Sequence, residues 1–544
     1  MAKRKIVILG GALSGPTAAA RARETDAQAK IIVLERAAAI SYAVGGLPYY
    51  LSGEVNARDD IAPHRAAFFK KYYDVEVRTK VSVDRFDPDK RKVYTSAGVV
   101  PYDTLIYALG ASSVLPPVFE DGASNLSFMR NPAQLAWIDR ALQKGAGHVA
   151  VVGGGFYGVE AADCLARRGG LRVSLIERGP QLLPEYSAVA AGRAALALEA
   201  LGVELHLGAG VEGVKRKGRR IRGLEVGGQL IEPDLILVCA GVRPRTRIFR
   251  AAGGRLQKDG SIRVDDRCAT SLPGVYATSI CVSHTHAVTR KAVWTAQASD
   301  ADKTAQVAGA NAAGGDARLG PTLGTSILRA GSLHFARTGL TELGGKHEAK
   351  RVQVSGHARD PCFRGSAPLD VSLYYAPATQ RLLGAEVVGG DGVDKRIDVL
   401  ATATLAKLKL DQLAMLDLAY SPPYSTARDL VNAAATVASQ TAGLRVWEPA
   451  ELAARDEGTV VVDLRAPKQR KLAPAPELGA KAMNLAKLWD QRKLLRKAKQ
   501  VVFVCETGRS SYLAARKAEQ YGAKSAGYLS GGLRNWRLTQ ATSA

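Results

Sequence analysis

Cysteine is scarce in this chain, with six among 544 residues: Cys164, Cys239, Cys268, Cys281, Cys362 and Cys505. No two form a CxxC pair, which argues against a zinc site and against a disulfide framework. Aromatic residues make up only 6% of the chain. They do not interleave with basic ones, so nucleic acid is not an expected partner. Acidic residues fall short as well, 51 against 75 Lys and Arg, which leaves a formal charge of +24. That surplus suits anionic small molecules such as nucleotides, coenzyme A phosphates and sulfur species, or it simply keeps the protein soluble. No apolar run approaches the roughly 20 residues needed to span a bilayer. The N-terminus, MAKRKIVILGG, is basic and then apolar but runs directly into a glycine turn with no cleavage site. It reads as a first strand rather than a signal peptide, so a cytoplasmic protein is expected.

A chain of 544 residues is too long for one core, since single cores stop growing near roughly 250–300 residues. Its first strand, Lys5-Ile-Val-Ile-Leu9, leads into Gly10-Gly-Ala-Leu-Ser-Gly15 and an alanine-rich helical stretch. A strand, a glycine turn and a helix set a helix N-terminus against a pyrophosphate. Glu35 ends the next strand about twenty residues further on, where an acid can bind a ribose hydroxyl. Ala12 takes the place of the middle glycine of GxGxxG. A second unit has all three glycines. His148-Val-Ala-Val-Val152 precedes Gly153-Gly-Gly-Phe-Tyr-Gly158, and Glu177 ends the strand that follows the helix. A carboxylate there repels a 2′-phosphate and favours NADH, whereas the adjoining Arg178 softens that preference. Two such units about 140 residues apart suggest one site for FAD and one for a nicotinamide nucleotide. Apolar strands ending at Gly110 and Gly241 mark returns between the two nucleotide domains.

These features resemble the pyridine nucleotide-disulfide oxidoreductase family. Within it they are most similar to the coenzyme A-disulfide reductase branch and its rhodanese-fused persulfide and polysulfide reductases. The stretches that carry the likeness are Gly46-Leu-Pro-Tyr-Tyr50, Gly324-Thr-Ser-Ile, Ala336-Arg-Thr-Gly-Leu-Thr-Glu342, Gly392-Val-Asp-Lys-Arg-Ile-Asp398 and the run from Leu416 to Asp429. The resemblance implies an FAD-binding domain at 1–115 and again at 246–321, and an NAD(P)-binding domain at 116–245. A dimerisation domain at 322–442 and a rhodanese domain at 443–544 follow. It implies FAD, NADH or NADPH, and coenzyme A as ligands. The candidate cofactor residues are Gly10, Gly11, Gly15, Glu35, Arg36, Val81, Ala108 and Gly110 in the first unit, and Gly153, Gly155, Gly158, Glu177, Arg178 and Gly241 in the second. It also implies a homodimer in which Tyr420 and Tyr424 reach the partner's active site. The plainer reading of those tyrosines is a proline-rich turn that packs the dimer.

Three departures qualify the likeness. The residue before Gly-Leu-Pro-Tyr-Tyr is the family's redox cysteine; here it is Gly45, and no cysteine precedes Cys164. Glycine has no thiolate, so ordinary reduction of coenzyme A disulfide is not expected. The Gly-Asp that anchors the flavin in the family is Ser279-Ile280, and a lost charge-assisted hydrogen bond is worth roughly 1.5–3 kcal/mol. The usual Ala-Thr-Gly of the first sheet is Ala108-Leu-Gly110.

The C-terminal stretch has the marks of a single rhodanese domain. A strand, Thr459-Val-Val-Val-Asp463, ends in Asp-x-Arg, and another, Gln500-Val-Val-Phe-Val, ends at Cys505-Glu-Thr-Gly-Arg-Ser-Ser511. A cysteine at a strand end, followed by a short loop that opens a helix, sits in a cup of backbone N–H groups. That setting favours a thiolate and then holds an anionic persulfide sulfur. Arg509 adds positive charge. The Gly-His-Ile-Pro-Gly-Ala segment of rhodaneses is degraded at Glu477–Asn484. The expected architecture is therefore α/β: two Rossmann-like domains plus an α+β dimerisation domain, then a rhodanese-like domain. The expected function is FAD-dependent, NAD(P)H-driven reduction of sulfane sulfur with Cys505 and Arg509 as catalytic residues. Two rivals stand beside it. One is an NADH oxidase or diaphorase, and the other a nucleotide-binding scaffold in which only the rhodanese domain works.

Overall fold

The computed structural model describes residues 3–119, 122–343, 348–441 and 443–541. Two compact units are present, one of Met1–Pro180 with Leu198–Gly324, the other of Gln181–Ala197 with Thr325–Ala544.

The first unit is built on two parallel sheets. In one, the strands run in the order Val275–Ala277, Thr104–Tyr107, Lys5–Leu9, Lys30–Leu34, Val75–Arg78. Strand Lys5–Leu9 shows why both faces must be covered. Ile6 and Ile8 pack with Ala18, Ala22, Ala305 and Ala308 of helices Ser14–Thr25 and Ala298–Ala312. Val7 and Leu9 pack on the opposite face with Tyr107, Phe249 and Val282. A strand apolar on both sides is the signature of a buried parallel sheet. The other sheet runs Val203–Leu207, Arg172–Glu177, His148–Val152, Leu235–Val238, Leu126–Ser127, with helix Phe156–Arg168 rising from its central strand. In each sheet the glycine turn follows the strand at the topological switch point, where open α/β sheets bind ligands. The expected α/β class holds.

The second unit carries an antiparallel sheet ordered Ser326–Ala330, Leu333–Gly339, Arg381–Gly389, Pro368–Ala376, Lys350–His357. One face, with Val352, Val371, Leu373 and Val387, packs on helices Val393–Leu405 and Leu430–Ser439. The alternate residues Arg351, Gln353, Asp370, Ser372 and Glu386 are polar, yet none is more than 6% exposed. A parallel sheet follows, ordered Arg445–Trp447, Ala526–Leu529, Gln500–Val504, Thr459–Asp463, Lys481–Ala482. Val501 and Phe503 face Ala514 and Ala518 of helix Arg509–Gln520, and Val502 and Val504 face Trp447, Leu533 and Trp536. Among the described residues no helix is long and apolar enough to cross a membrane.

Candidate active site

The first glycine turn is sterically obligatory. Gly10 has φ +107°, and a Cβ there would lie 2.4 Å from the Ala108 carbonyl oxygen; one on Gly15 would lie 1.8 Å from the Gly10 carbonyl oxygen. The Glu35 carboxylate spans the turn, accepting the Gly11 amide at 2.7 Å and the Ala37 amide at 2.7 Å. Ionised carboxylate oxygens have lone pairs left over for hydroxyl donors. Arg36 beside it is exposed. The Val81 amide donates to the Glu35 carbonyl at 3.0 Å, while its side chain lies in the core.

The second turn repeats the construction. A Cβ on Gly153, at φ +114°, would lie 2.5 Å from the Cys239 carbonyl oxygen, and one on Gly158 would lie 1.8 Å from that of Gly153. Glu177 accepts the Gly154 and Gly179 amides, each at 2.6 Å. Gly155 differs from its neighbours, since a Cβ there meets nothing within 4 Å. Protein packing does not require that glycine, but close approach of a phosphate to the main chain would. Ala12, the corresponding residue of the first turn, adds a methyl at that point. Arg178 is exposed and lays its stem along Gly210. Gly241 has φ +97°, a left-handed conformation suited to glycine.

Near these turns lies a group of charges of which the sequence pointed only to Arg36. Burial pushes the Arg130 and Arg245 guanidiniums down, and for Arg245 the neighbouring Arg36 and then Arg130 add to the effect. Burial, and then Glu35, pushes the Tyr42 hydroxyl up. Cations gathered under partial burial are suited to an anion. They come from three distant segments of the chain. Tyr157 ties this region to the segment before Gly45, donating to the Met129 carbonyl at 2.6 Å and standing 3.3 Å from that of Val44. Cys239 lies just beyond strand Leu235–Val238, where the chain turns towards Gly241. Burial pushes its thiol up to about 12, against the pull of Arg130.

Gly45 sits in the single turn Val44–Gly46, and a Cβ added to it meets nothing within 4 Å. Ile280 lies beside Gly110, its Cγ1 3.7 Å from where a Gly110 Cβ would be, and its carbonyl accepts the Trp294 indole N–H at 2.9 Å. Asp300, a buried carboxylate on the helix Ala298–Ala312, does not stand in for the missing acid. Its oxygens already accept from Thr295 at 2.7 Å and from Thr322 at 2.9 and 3.0 Å. The first glycine turn therefore suits a pyrophosphate, and position 280, where the resemblance implies a flavin-anchoring carboxylate, offers a hydrocarbon.

Cys505 lies one residue past Gln500–Val504 and is 5% exposed. Its Sγ is 3.4 Å from the Ser511 hydroxyl, which donates to the Gly508 carbonyl at 2.8 Å. Gly508, at φ +88°, caps helix Arg509–Gln520. A Cβ on it would lie 3.0 Å from the Gly531 nitrogen, and one on Gly532 would lie 2.5 Å from the Cys505 carbonyl oxygen. Arg509 is exposed at the helix start. Beneath the loop, Arg465 and Asp463 form a buried bidentate pair, with Nη2–Oδ2 at 2.8 Å and Nε–Oδ1 at 3.1 Å. Cys362 is exposed, and its hydrogen bond to Asp360 pushes its thiol up. Tyr420 and Tyr424 are 49% and 74% exposed.

Residues 4–301 match the family model for pyridine nucleotide-disulphide oxidoreductases, and 448–539 match the rhodanese-like domain. The chain belongs to the pyridine nucleotide-disulphide oxidoreductase family. It is an oxidoreductase with a C-terminal rhodanese-like domain, and FAD and NAD(P)H are the cofactors of its family. It is similar to the structure of reduced Bacillus anthracis CoADR-RHD, at 28% identity and TM-score 0.94 over 99% of each chain. It is also similar to an NAD-dependent persulfide reductase from A. fulgidus, at 28% identity and TM-score 0.89 over 98% of this chain and 100% of that one. A curated relative, an NADH oxidase of Methanocaldococcus jannaschii, is 28% identical over 79% of this chain and 98% of its own.

Proposed function

We propose that the protein is an NAD(P)H-dependent reductase of sulfane sulfur, in persulfides or polysulfides, with Cys505 as the sulfur carrier. The observation that supports this most is the loop after Gln500–Val504. There a thiol at a strand end, closed in by Gly508 and Gly532, opens a helix. Main-chain amides at such an end, with Arg509 beside them, suit the negative outer sulfur of a persulfide. Cys505 takes that sulfur from a donor R–S–SH. The donor's S–S bond breaks, a new one forms on Cys505, and R–SH leaves. The Cys505 persulfide, NAD(P)H and one proton then give the thiol, hydrogen sulfide and NAD(P)⁺. FAD, when bound, supplies electron transfer from the nicotinamide. Glu35 and the turn from Gly10 to Gly15 hold its adenosine and pyrophosphate, and Glu177 with the turn from Gly153 to Gly158 holds the reductant, NADH before NADPH. A cytoplasmic homodimer with Tyr420 and Tyr424 at the partner's site, and coenzyme A derivatives among the substrates, belong to the same proposal.

Gly45 favours a second reading. Without a thiol at that position, an NAD(P)H oxidase or diaphorase passes electrons to oxygen or a quinone. One anaerobic experiment separates the two. Pure protein is bleached with NADH and then given a persulfide. Recovery of the visible spectrum with release of hydrogen sulfide supports sulfur reduction. Recovery only when oxygen is admitted supports the oxidase.

A further inference from the structure

The loop that bears Cys505 is held in part from outside. The Leu533 amide donates to the Cys505 carbonyl at 2.8 Å, and the Arg534 amide donates to the Glu506 carbonyl at 3.1 Å. Arg537 also pairs with the Glu506 carboxylate. All three donors belong to helix Gly532–Ala541, so that helix helps set the loop's position, together with the Arg465–Glu506 pair at 3.7 Å. The helix is in turn fastened to the buried polar face of the antiparallel sheet. Arg534 Nη2 bonds Asp370 Oδ2 at 2.7 Å, and the Asn535 amide donates to Gln353 Oε1 at 2.8 Å. Just before the helix, the Gln353 amide donates to the Ser530 hydroxyl at 3.0 Å. Asp370 is 3% exposed and also pairs with Arg193, itself 9% exposed. A carboxylate buried between two guanidiniums fixes direction as well as charge, because each bond is lost if either partner turns.

We propose that Asp370, in the sheet domain, is a positioning residue for sulfur transfer in the rhodanese-like domain: through Arg534 it sets the orientation of helix Gly532–Ala541 and hence of the Cys505 loop. The inference rests on the reading of Cys505 as sulfur carrier. Asp370 touches no substrate. Its role is to keep the loop amides aimed at one point, the outer sulfur, and supporting groups of this kind commonly change activity without changing binding.

The test uses the full chain, with thiosulfate as donor and cyanide as acceptor. Asp370→Asn and Arg534→Met are each expected to lower kcat by about tenfold with KM changed less than about twofold. Hydrogen exchange of the amides of residues 505–511 should speed up in both. Asp370→Glu, which restores the charge, should recover most of the rate, as a merely space-filling role would not predict. If Asp370→Asn does not fold, the partly exposed Arg534→Met decides. Wild-type kcat and wild-type exchange in a folded Arg534→Met protein overturn the proposal. Cys505→Ser is the control that separates the two layers. Sulfur transfer that survives it defeats the carrier reading itself. Transfer abolished by it but indifferent to Arg534→Met defeats only the positioning role.

Discussion

Around Cys505 the glycines are under strict constraint. Gly508 and Gly532 both have positive φ, and a Cβ on either would press into the facing backbone. Around Gly45 the reverse holds: its φ is not positive, and a Cβ has open space. The first set of glycines is required by the fold; the glycine at 45 is not. What stands at 45 is therefore the absence of a thiol rather than a demand of the backbone. The same contrast separates the proposed flavin-holding residues: Gly10, Gly15 and Glu35 form a tightly packed turn, while Ile280 has no polar atom beyond its main chain. Packing requires Gly10, Gly15, Gly153 and Gly158 of the two turns and Gly508 and Gly532 at the Cys505 loop, whereas positions 45 and 280 carry no polar side-chain group.

The largest effect is expected beneath the constrained loop. Asp463→Asn leaves the buried Arg465 guanidinium with only the looser Glu506 carboxylate, 3.7 Å away, a loss of about 3 kcal/mol. Urea unfolding followed by tryptophan fluorescence should show it, and an unchanged midpoint would break the picture of a loop held from below. At the unconstrained position the expectation is a gain. Gly45→Cys should fold normally and raise coenzyme A-disulfide reduction about a hundredfold above a near-zero wild-type rate, since it supplies the missing nucleophile. A wild-type protein that already turns over like its relatives would remove the contrast altogether. Ile280→Asp should tighten FAD by one to two decades, the worth of roughly 1.5–3 kcal/mol, measured by flavin retained on dialysis; equal retention would count against the role given to position 280. The smallest effect concerns the remaining thiols. Burial pushes Cys239, Cys268 and Cys281 each up to about 12. They stay protonated below that pH, so iodoacetamide at pH 8 should spare them and modify them only as the pH approaches 12. Peptide mass mapping reads this directly.

What was legible in the sequence was what is local. A glycine turn, the acid about twenty residues beyond it and a cysteine at a strand end each fit within one strand-turn-helix unit, where chain spacing sets spatial spacing. What was not legible is assembled from remote segments. Arg36, Arg130 and Arg245 converge only in three dimensions, and no spacing rule links them. Gln353, Asp370 and Glu386 alternate with apolar neighbours, the pattern of a sheet with one wet face. That face is covered nonetheless, because the rhodanese-like domain and the segment bearing Arg193 supply matching polar groups.

The central claim is that Cys505 is the sulfur carrier, and intact mass tests it most directly. Protein treated with thiosulfate or another sulfane donor should gain one sulfur, about 32 Da, on the peptide containing Cys505. Cys505→Ser should gain none while its bleaching by NADH is unchanged. A sulfur adduct that persists in Cys505→Ser, on Cys362 or elsewhere, would contradict the account.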